Sequence, residues 1–299
     1  MIRQLRGVFA PVVSTFHATT GELDVAAFAA NGAAHLALGM DGLVVTGSTG
    51  EAALLDQTER SALIDAARAV VPADKLLLVG TGAESTRTCL AQTRDAAKRG
   101  ADAALVVSPH YYTSAMTIDA LRTHYRRVAD ESPVPVVLYS IPKYMHFAIP
   151  AELVMELAQH ENVIGIKDSS GQRELLAAYM PAQSDTFSVL TGNAQLFQHS
   201  MQSGARGGIL AGALFAGGLA LDIYRAVLTR DESTANAAHA RFSPLGARIV
   251  GELGVPGVKA AMDGVGLHGG PVRSPLQAVS AETRASIDEL LKSAELATA

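Results

Sequence analysis

The chain has 299 residues, 48% of them hydrophobic and 18% charged, with a formal net charge of -5 and a pI near 6.0. That balance fits an ordinary folded protein and excludes a disordered one; with no basic run longer than Arg126-Arg127, it offers nothing to nucleic acid or an anionic membrane. The lone cysteine, Cys89, excludes an internal disulfide framework and a cysteine zinc site, which points to a reducing cytoplasm and a buried packing role for the thiol.

Met1 to Phe16 holds two arginines, but its apolar stretch is brief and contains Pro11, so no signal peptide is expected. Short β-branched runs then recur at 7–13, 42–46, 75–80, 103–107, 134–139, 163–167, 187–191 and 207–210, starting roughly 20 to 35 residues apart. Between them, 24–38, 57–71, 85–99, 117–130, 150–160 and 194–203 carry apolar residues at helical spacing. The stretch 207–221 is almost wholly apolar, yet too short and too rich in glycine for a membrane span, so a core strand leading into a loop is expected there. Beyond it, 222–228, 233–246, 256–265 and 281–296 read as helices, broken by Gly269-Gly270-Pro271 and Ser274-Pro275, with Ser280 starting the last one.

Near-continuous apolar strands alternating with helices mark a parallel sheet buried on both faces. Eight such units predict a (β/α)₈ TIM barrel over residues 1–218, with a helical region over 219–299 appended and packed on it; a doubly wound open sheet is the competing architecture.

In such a barrel all strand ends meet on one face, so the residues at the tips decide the chemistry. Strand two ends in Gly47-Ser48-Thr49-Gly50-Glu51, strand four leads to His110-Tyr111-Tyr112, strand five ends at Tyr139 and strand six at Lys167, before the polar Asp168-Ser169-Ser170. An amine among apolar neighbours is partly desolvated, which favours the neutral form that attacks a carbonyl. Strands five and six lie about 4.8 Å apart if adjacent, which brings the Tyr139 phenol within reach of that amine as a proton shuttle. The Gly47–Gly50 loop can turn N–H groups and two hydroxyls toward an anion, so a 2-oxo acid is a natural substrate. Singly, each element has a simpler reading: Lys167 as a strand-end lysine reaching water, the loop as a capped turn, the tyrosines as core or interface aromatics. Their joint placement on strand tips carries the functional one.

Gly47-Ser48-Thr49-Gly50-Glu51, Tyr139-Ser140-Ile141-Pro142 and Gly165-Ile166-Lys167-Asp168, in this order, resemble the motifs of the dihydrodipicolinate synthase / N-acetylneuraminate lyase family of pyruvate-dependent class I aldolases. Residues 78–86, 135–140 and 254–259, followed by Gly269-Gly270-Pro271, make the chain most similar within it to 4-hydroxy-2-oxoglutarate aldolases. The resemblance implies a Schiff base on Lys167, proton transfer by Tyr139, a relay through Ser48, carboxylate binding by Thr49 with the Ile209 backbone, and Gly192 in the pocket wall. It further implies a homotetramer of two tight dimers, with Tyr111 crossing a subunit interface to complete a neighbour's relay. No metal or organic cofactor is needed.

One departure concerns the substrate. Synthases of the family carry an arginine shortly after Tyr-x-x-Pro to hold the second substrate's carboxylate, whereas this chain reads Lys143-Tyr144-Met145-His146. Lys143 or His146 can supply a cation there but not a planar fork. Ser169 can instead bond a hydroxyl on the substrate's distal carbons. The resulting expectation is cleavage of 4-hydroxy-2-oxoglutarate or a similar acid to pyruvate and an aldehyde. The alternatives are condensation of pyruvate with aspartate semialdehyde and, from another class, non-catalytic binding of a 2-oxo acid. The nine histidines show no H-x-H pair or H-E-x-x-H helix for a metal-dependent aldolase, and Gly80-Thr81-Gly82 lacks the third glycine of a dinucleotide loop.

Overall fold

A computed structural model of the protein describes residues 4–296. Its strands are β1 (Gly7–Pro11), β2 (Gly42–Val45), β3 (Leu76–Gly80), β4 (Ala103–Val107), β5 (Val136–Ser140), β6 (Val163–Asp168), β7 (Ser188–Thr191) and β8 (Gly207–Ile209). Each pairs in parallel with the next, and β8 pairs back onto β1, so the sheet is a closed barrel. Apart from the first residue of β3 and the last of β4, every strand residue is buried, which is why these segments run apolar instead of alternating.

The outer layer comprises α1 (Val25–Leu38), α2 (Gln57–Val70), α3 (Thr86–Lys98), α4 (Ile118–Glu131), the single turn α5 (Pro142–Met145), α6 (Ala151–Leu157), α7 (Arg173–Tyr179), α8 (Phe197–Gln202) and α9 (Ala213–Thr229). The first four start where a side chain can take up a free backbone N–H. Asp24, Asp56, Ser85 and Thr117 each accept from the amide three residues on, and Glu59 returns the bond to Asp56 in a capping box. Cys89 is buried in this layer, and burial pushes its thiol up to about 12.

Beyond shifts of a few residues at element ends and the unexpected single turn α5, the departures from the sequence expectation that bear on the site are these. Helix α7 was not expected, because its seven residues are too few to show a helical period. Strand β6 continues one residue past Lys167 to Asp168. The apolar stretch after β8 becomes helix at Ala213, not loop, so the boundary expected at 218/219 falls inside α9. Ten of the seventeen residues of α9 are buried, and a helix covered on most sides has no polar stripe to announce its period.

The remaining helices are α10 (Glu232–Leu245), running into a π-helical segment (Gly246–Glu252), then α11 (Gly254–Gly264) and α12 (Ala281–Ser293), which Ser280 caps as expected. Val8 and Val45 of the barrel share one hydrophobic cluster with Phe215, Phe242, Met262 and Leu291, so the C-terminal helices have no separate core. Among the described residues no helix is long and apolar enough to cross a membrane.

Candidate active site

The pairing of β5 with β6 sets Tyr139 directly opposite Lys167. Both are buried, and the Lys167 ammonium lies 4.1 Å from the centre of the Tyr139 ring. Among the described residues Lys167 has neither an ion pair nor a hydrogen-bond partner for its side chain, so the amine is uncommitted. Side chains alternate across the sheet, and the next residue, Asp168, turns its carboxylate to Ser170, accepting from the amide at 2.9 Å and the hydroxyl at 3.0 Å. Burial pushes that carboxyl up to about 6, against those two bonds. It stands next to the amine in sequence without pairing to it.

One cavity at this rim is lined by Lys167, Tyr139, Ser48, Thr49, Ser169, Gly192 and Ile209, which joins seven of the eight site residues named from the sequence. The Ser48-Thr49 loop is shaped from both ends. Thr46 and Glu51 adopt left-handed backbone conformations with φ of 50° and 55°, and the Gly50 carbonyl accepts from the Ser14 hydroxyl at 2.6 Å. On the far side of the lysine, a Cβ built at Gly192 meets the Ser169 hydroxyl oxygen at 1.9 Å and Lys167 Cε at 2.8 Å. Any side chain there would have to displace the Ser169 hydroxyl and the end of Lys167.

Tyr111 is the residue the cavity does not include. It is 77% exposed on a loop pinned by Glu84, whose carboxylate accepts from the backbone amides of His110 and Tyr111 at 2.9 Å and 2.8 Å. Of the two cations considered after Pro142, Lys143 lines the cavity and His146 does not. The Lys143 ammonium donates to the Gly251 carbonyl at 2.7 Å, bridging α5 to the π-helical segment.

Sequence reasoning missed several lining residues. Tyr144 stands in the cavity beside Lys143, and partial burial, with the nearby Tyr139 phenol, pushes its own phenol above the usual range. Asn193 follows Gly192, and Val250, Gly251, Gly254, Val255 and Val258 form an apolar wall from the C-terminal region. Tyr144 was open to discovery, being next to the lysine singled out, as were Gly254, Val255 and Val258, which lie in the stretch 254–259 marked by the resemblance; Val250 was not, since neither a strand tip nor a quoted stretch carries it. No group of three or more His, Cys, Asp or Glu among the described residues is placed to hold a metal ion.

An unpaired amine facing a phenol, with a loop of donors beside it on the rim of a closed parallel barrel, is an arrangement suited to imine chemistry on a carbonyl, and the family match makes the protein a pyruvate-dependent Schiff-base lyase of the class I aldolase kind. The chain belongs to the dihydrodipicolinate synthetase family, whose profile matches residues 4–294. A relative from Methanospirillum hungatei, named 4-hydroxy-tetrahydrodipicolinate synthase, is 31% identical over 287 residues, covering 95% of this chain and 98% of its own. The dihydrodipicolinate synthase structure from Aquifex aeolicus superposes with a TM-score of 0.92 at 28% identity, covering 98% of this chain and 99% of its own. The chloride-inhibited dihydrodipicolinate synthase from Acinetobacter baumannii, solved with pyruvate, does so with a TM-score of 0.92 at 27% identity, covering 98% and 100%.

The tight packing at Gly192 generates a test. Gly192→Ala is expected to retain the fold while lowering the rate of Lys167 modification by pyruvate and borohydride about a hundredfold or more, since a misplacement of about 1 Å suffices for that. Labelling at the unsubstituted rate would show that the neighbouring side chains move aside freely.

Proposed function

We propose that Lys167 is the Schiff-base nucleophile of this aldolase and Tyr139 its proton shuttle, with Ser48 as relay, Thr49 and the Ile209 backbone on the substrate carboxylate, and Gly192 and Ser169 lining the substrate's path. The observation that carries the reading is the uncommitted Lys167 amine over the Tyr139 ring. The amine adds to the ketone, water leaves, and the protonated imine draws electrons from the adjacent carbon. In cleavage, a base takes the proton of the 4-hydroxyl, the C3–C4 bond breaks, an aldehyde departs and its bonding electrons remain in the enamine. The enamine then takes up a proton, and water returns to release pyruvate and the free lysine; the reverse order is condensation.

Borohydride reduction in the presence of pyruvate, followed by peptide mapping, is expected to place the adduct on Lys167. Tyr139→Phe is expected to keep adduct formation measurable while slowing turnover by a factor of about 10² to 10⁴. An adduct on another lysine, or full turnover without the phenol, would overturn the respective role.

For the second component, two observations pull apart. The name carried by the Methanospirillum relative favours condensation of pyruvate with aspartate semialdehyde. The lining favours cleavage of a 4-hydroxy-2-oxo acid such as 4-hydroxy-2-oxoglutarate: Tyr144 and a Lys143 already bonded to Gly251 stand where a guanidinium fork is expected, and Ser169 is free to meet a distal hydroxyl. The relatives' names are the more direct support, since the Methanospirillum, Aquifex and Acinetobacter proteins are all named as synthases. Assayed side by side, a synthase gives its fastest rate with pyruvate plus aspartate semialdehyde, and a cleavage enzyme releases pyruvate fastest from one 4-hydroxy-2-oxo acid of a panel. The faster of the two identifies the reaction, and a negligible rate in either arm removes that reading.

The assembly proposed with this function is a homotetramer of two tight dimers. Its support is the family resemblance and the exposure of Tyr111 and Tyr112, at 77% and 70%, on one rim loop. Sedimentation equilibrium reporting a monomer at working concentration would remove both the tetramer and the crossing role of Tyr111.

A further inference from the structure

The C-terminal region reaches the catalytic rim a second time, through a pair of fully buried charges. Glu51, the last residue of the Gly-Ser-Thr-Gly-Glu loop, does not line the cavity, and its Oε1 lies 2.5 Å from the ammonium of Lys259 on α11. Their side chains are 0% and 2% exposed. The ammonium also donates to the Pro271 carbonyl at 2.6 Å. The second oxygen of Glu51 accepts from the Arg273 amide at 2.8 Å. The ammonium also stands 4.6 Å from the centre of the Phe16 ring, with the Arg273 guanidinium at 4.2 Å from the same ring. The segment carrying these partners is itself fixed: a Cβ at Gly269 would meet the Lys259 carbonyl oxygen at 1.9 Å, and Arg273 bonds the Gly21 and Leu54 carbonyls at 2.8 Å and 3.1 Å.

A carboxylate taken out of water is tolerated only when opposed and bonded in a defined place. Glu51 is also held in the left-handed region, a conformation that a non-glycine residue keeps only where its surroundings impose it. Its anchor therefore dictates the backbone of the residues just before it, and those residues present Ser48 and Thr49 to the cavity. We propose that Lys259 and Glu51 are a positioning pair that holds the Ser48-Thr49 loop in its carboxylate-accepting geometry, so that the C-terminal helices set the affinity of the site for the 2-oxo acid. The inference rests on the Schiff-base reading of Lys167.

The test needs no second substrate. Each time the imine loses a methyl proton to give the enamine and regains a deuteron from solvent, pyruvate is labelled, so deuterium exchange followed by NMR yields kcat and KM for pyruvate alone. Glu51→Asp keeps both charges and draws the anchor back by one methylene. The double variant Glu51→Gln/Lys259→Gln removes both charges together and leaves neither stranded. The pyruvate KM is expected to rise about tenfold or more in the double variant and about threefold or more in Glu51→Asp; because Ser48 sits on the same loop, kcat is expected to fall as well, by a smaller factor than KM rises. Borohydride is expected to trap Lys167 in both at saturating pyruvate. A merely structural pair would lower the active fraction, and hence kcat, at unchanged KM. If the double variant does not fold, Glu51→Asp decides alone; failure of both to fold makes the pair a fold determinant and overturns the inference. A KM within about twofold of the original in every folded variant overturns it too. No adduct in the unsubstituted chain removes the Schiff-base reading and this one with it, whereas an adduct with unmoved KM removes this one alone.

Discussion

Parallel pairing around a closed sheet is the constraint on which the site depends. Because β5 and β6 run the same way, their registered residues end at the same rim, and Tyr139 meets Lys167 with no loop having to carry either one. A side chain on a strand interior inherits the rigidity of the ladder on both sides. The donor loop after β2 and the glycine after β7 reach the same place because closure leaves every strand end equivalent.

Two buried lysines show how placement separates chemistry from architecture. Lys259 is opposed by Glu51 and bonded to a carbonyl, and burial, which pulls its proton affinity down, is countered by that carboxylate. Lys167 faces a ring instead of a carboxylate. The nearest acid in sequence, Asp168, is turned to Ser170 by the alternation of the strand. Had the register put Asp168 beside the amine, an ion pair would occupy it. The pleat keeps one amine uncommitted, while a carboxylate from the loop after β2 neutralises the other.

The barrel was legible because each strand is covered on both faces, and such strands write themselves as apolar runs at a spacing that leaves room for a helix. What escaped was of two kinds. Helix α7 is too short to show a period, and α9 is too uniformly covered to show one. At the site, residues on strand tips could be placed together from order alone, whereas Val250 enters the cavity through helix packing that no linear rule locates. Tyr144 was passed over for its charged neighbours because the search there was for a cation. Glu51 lay within the quoted motif, yet its partner is more than 200 residues away in sequence, so its burial could not be read from the motif.

Helix α9 begins as the helix that follows the eighth strand and ends packed on α10, buried for most of its length and with no seam at which barrel and appendage come apart. The region that supplies the apolar wall is therefore not a module. Transplanting the C-terminal helices of a relative would require the recipient to accept a foreign face along β1 as well as a foreign cavity wall. The cavity lining on this scaffold is accordingly easier to alter by exchange of single residues, such as those at 143, 144 and 250, than by exchange of whole segments.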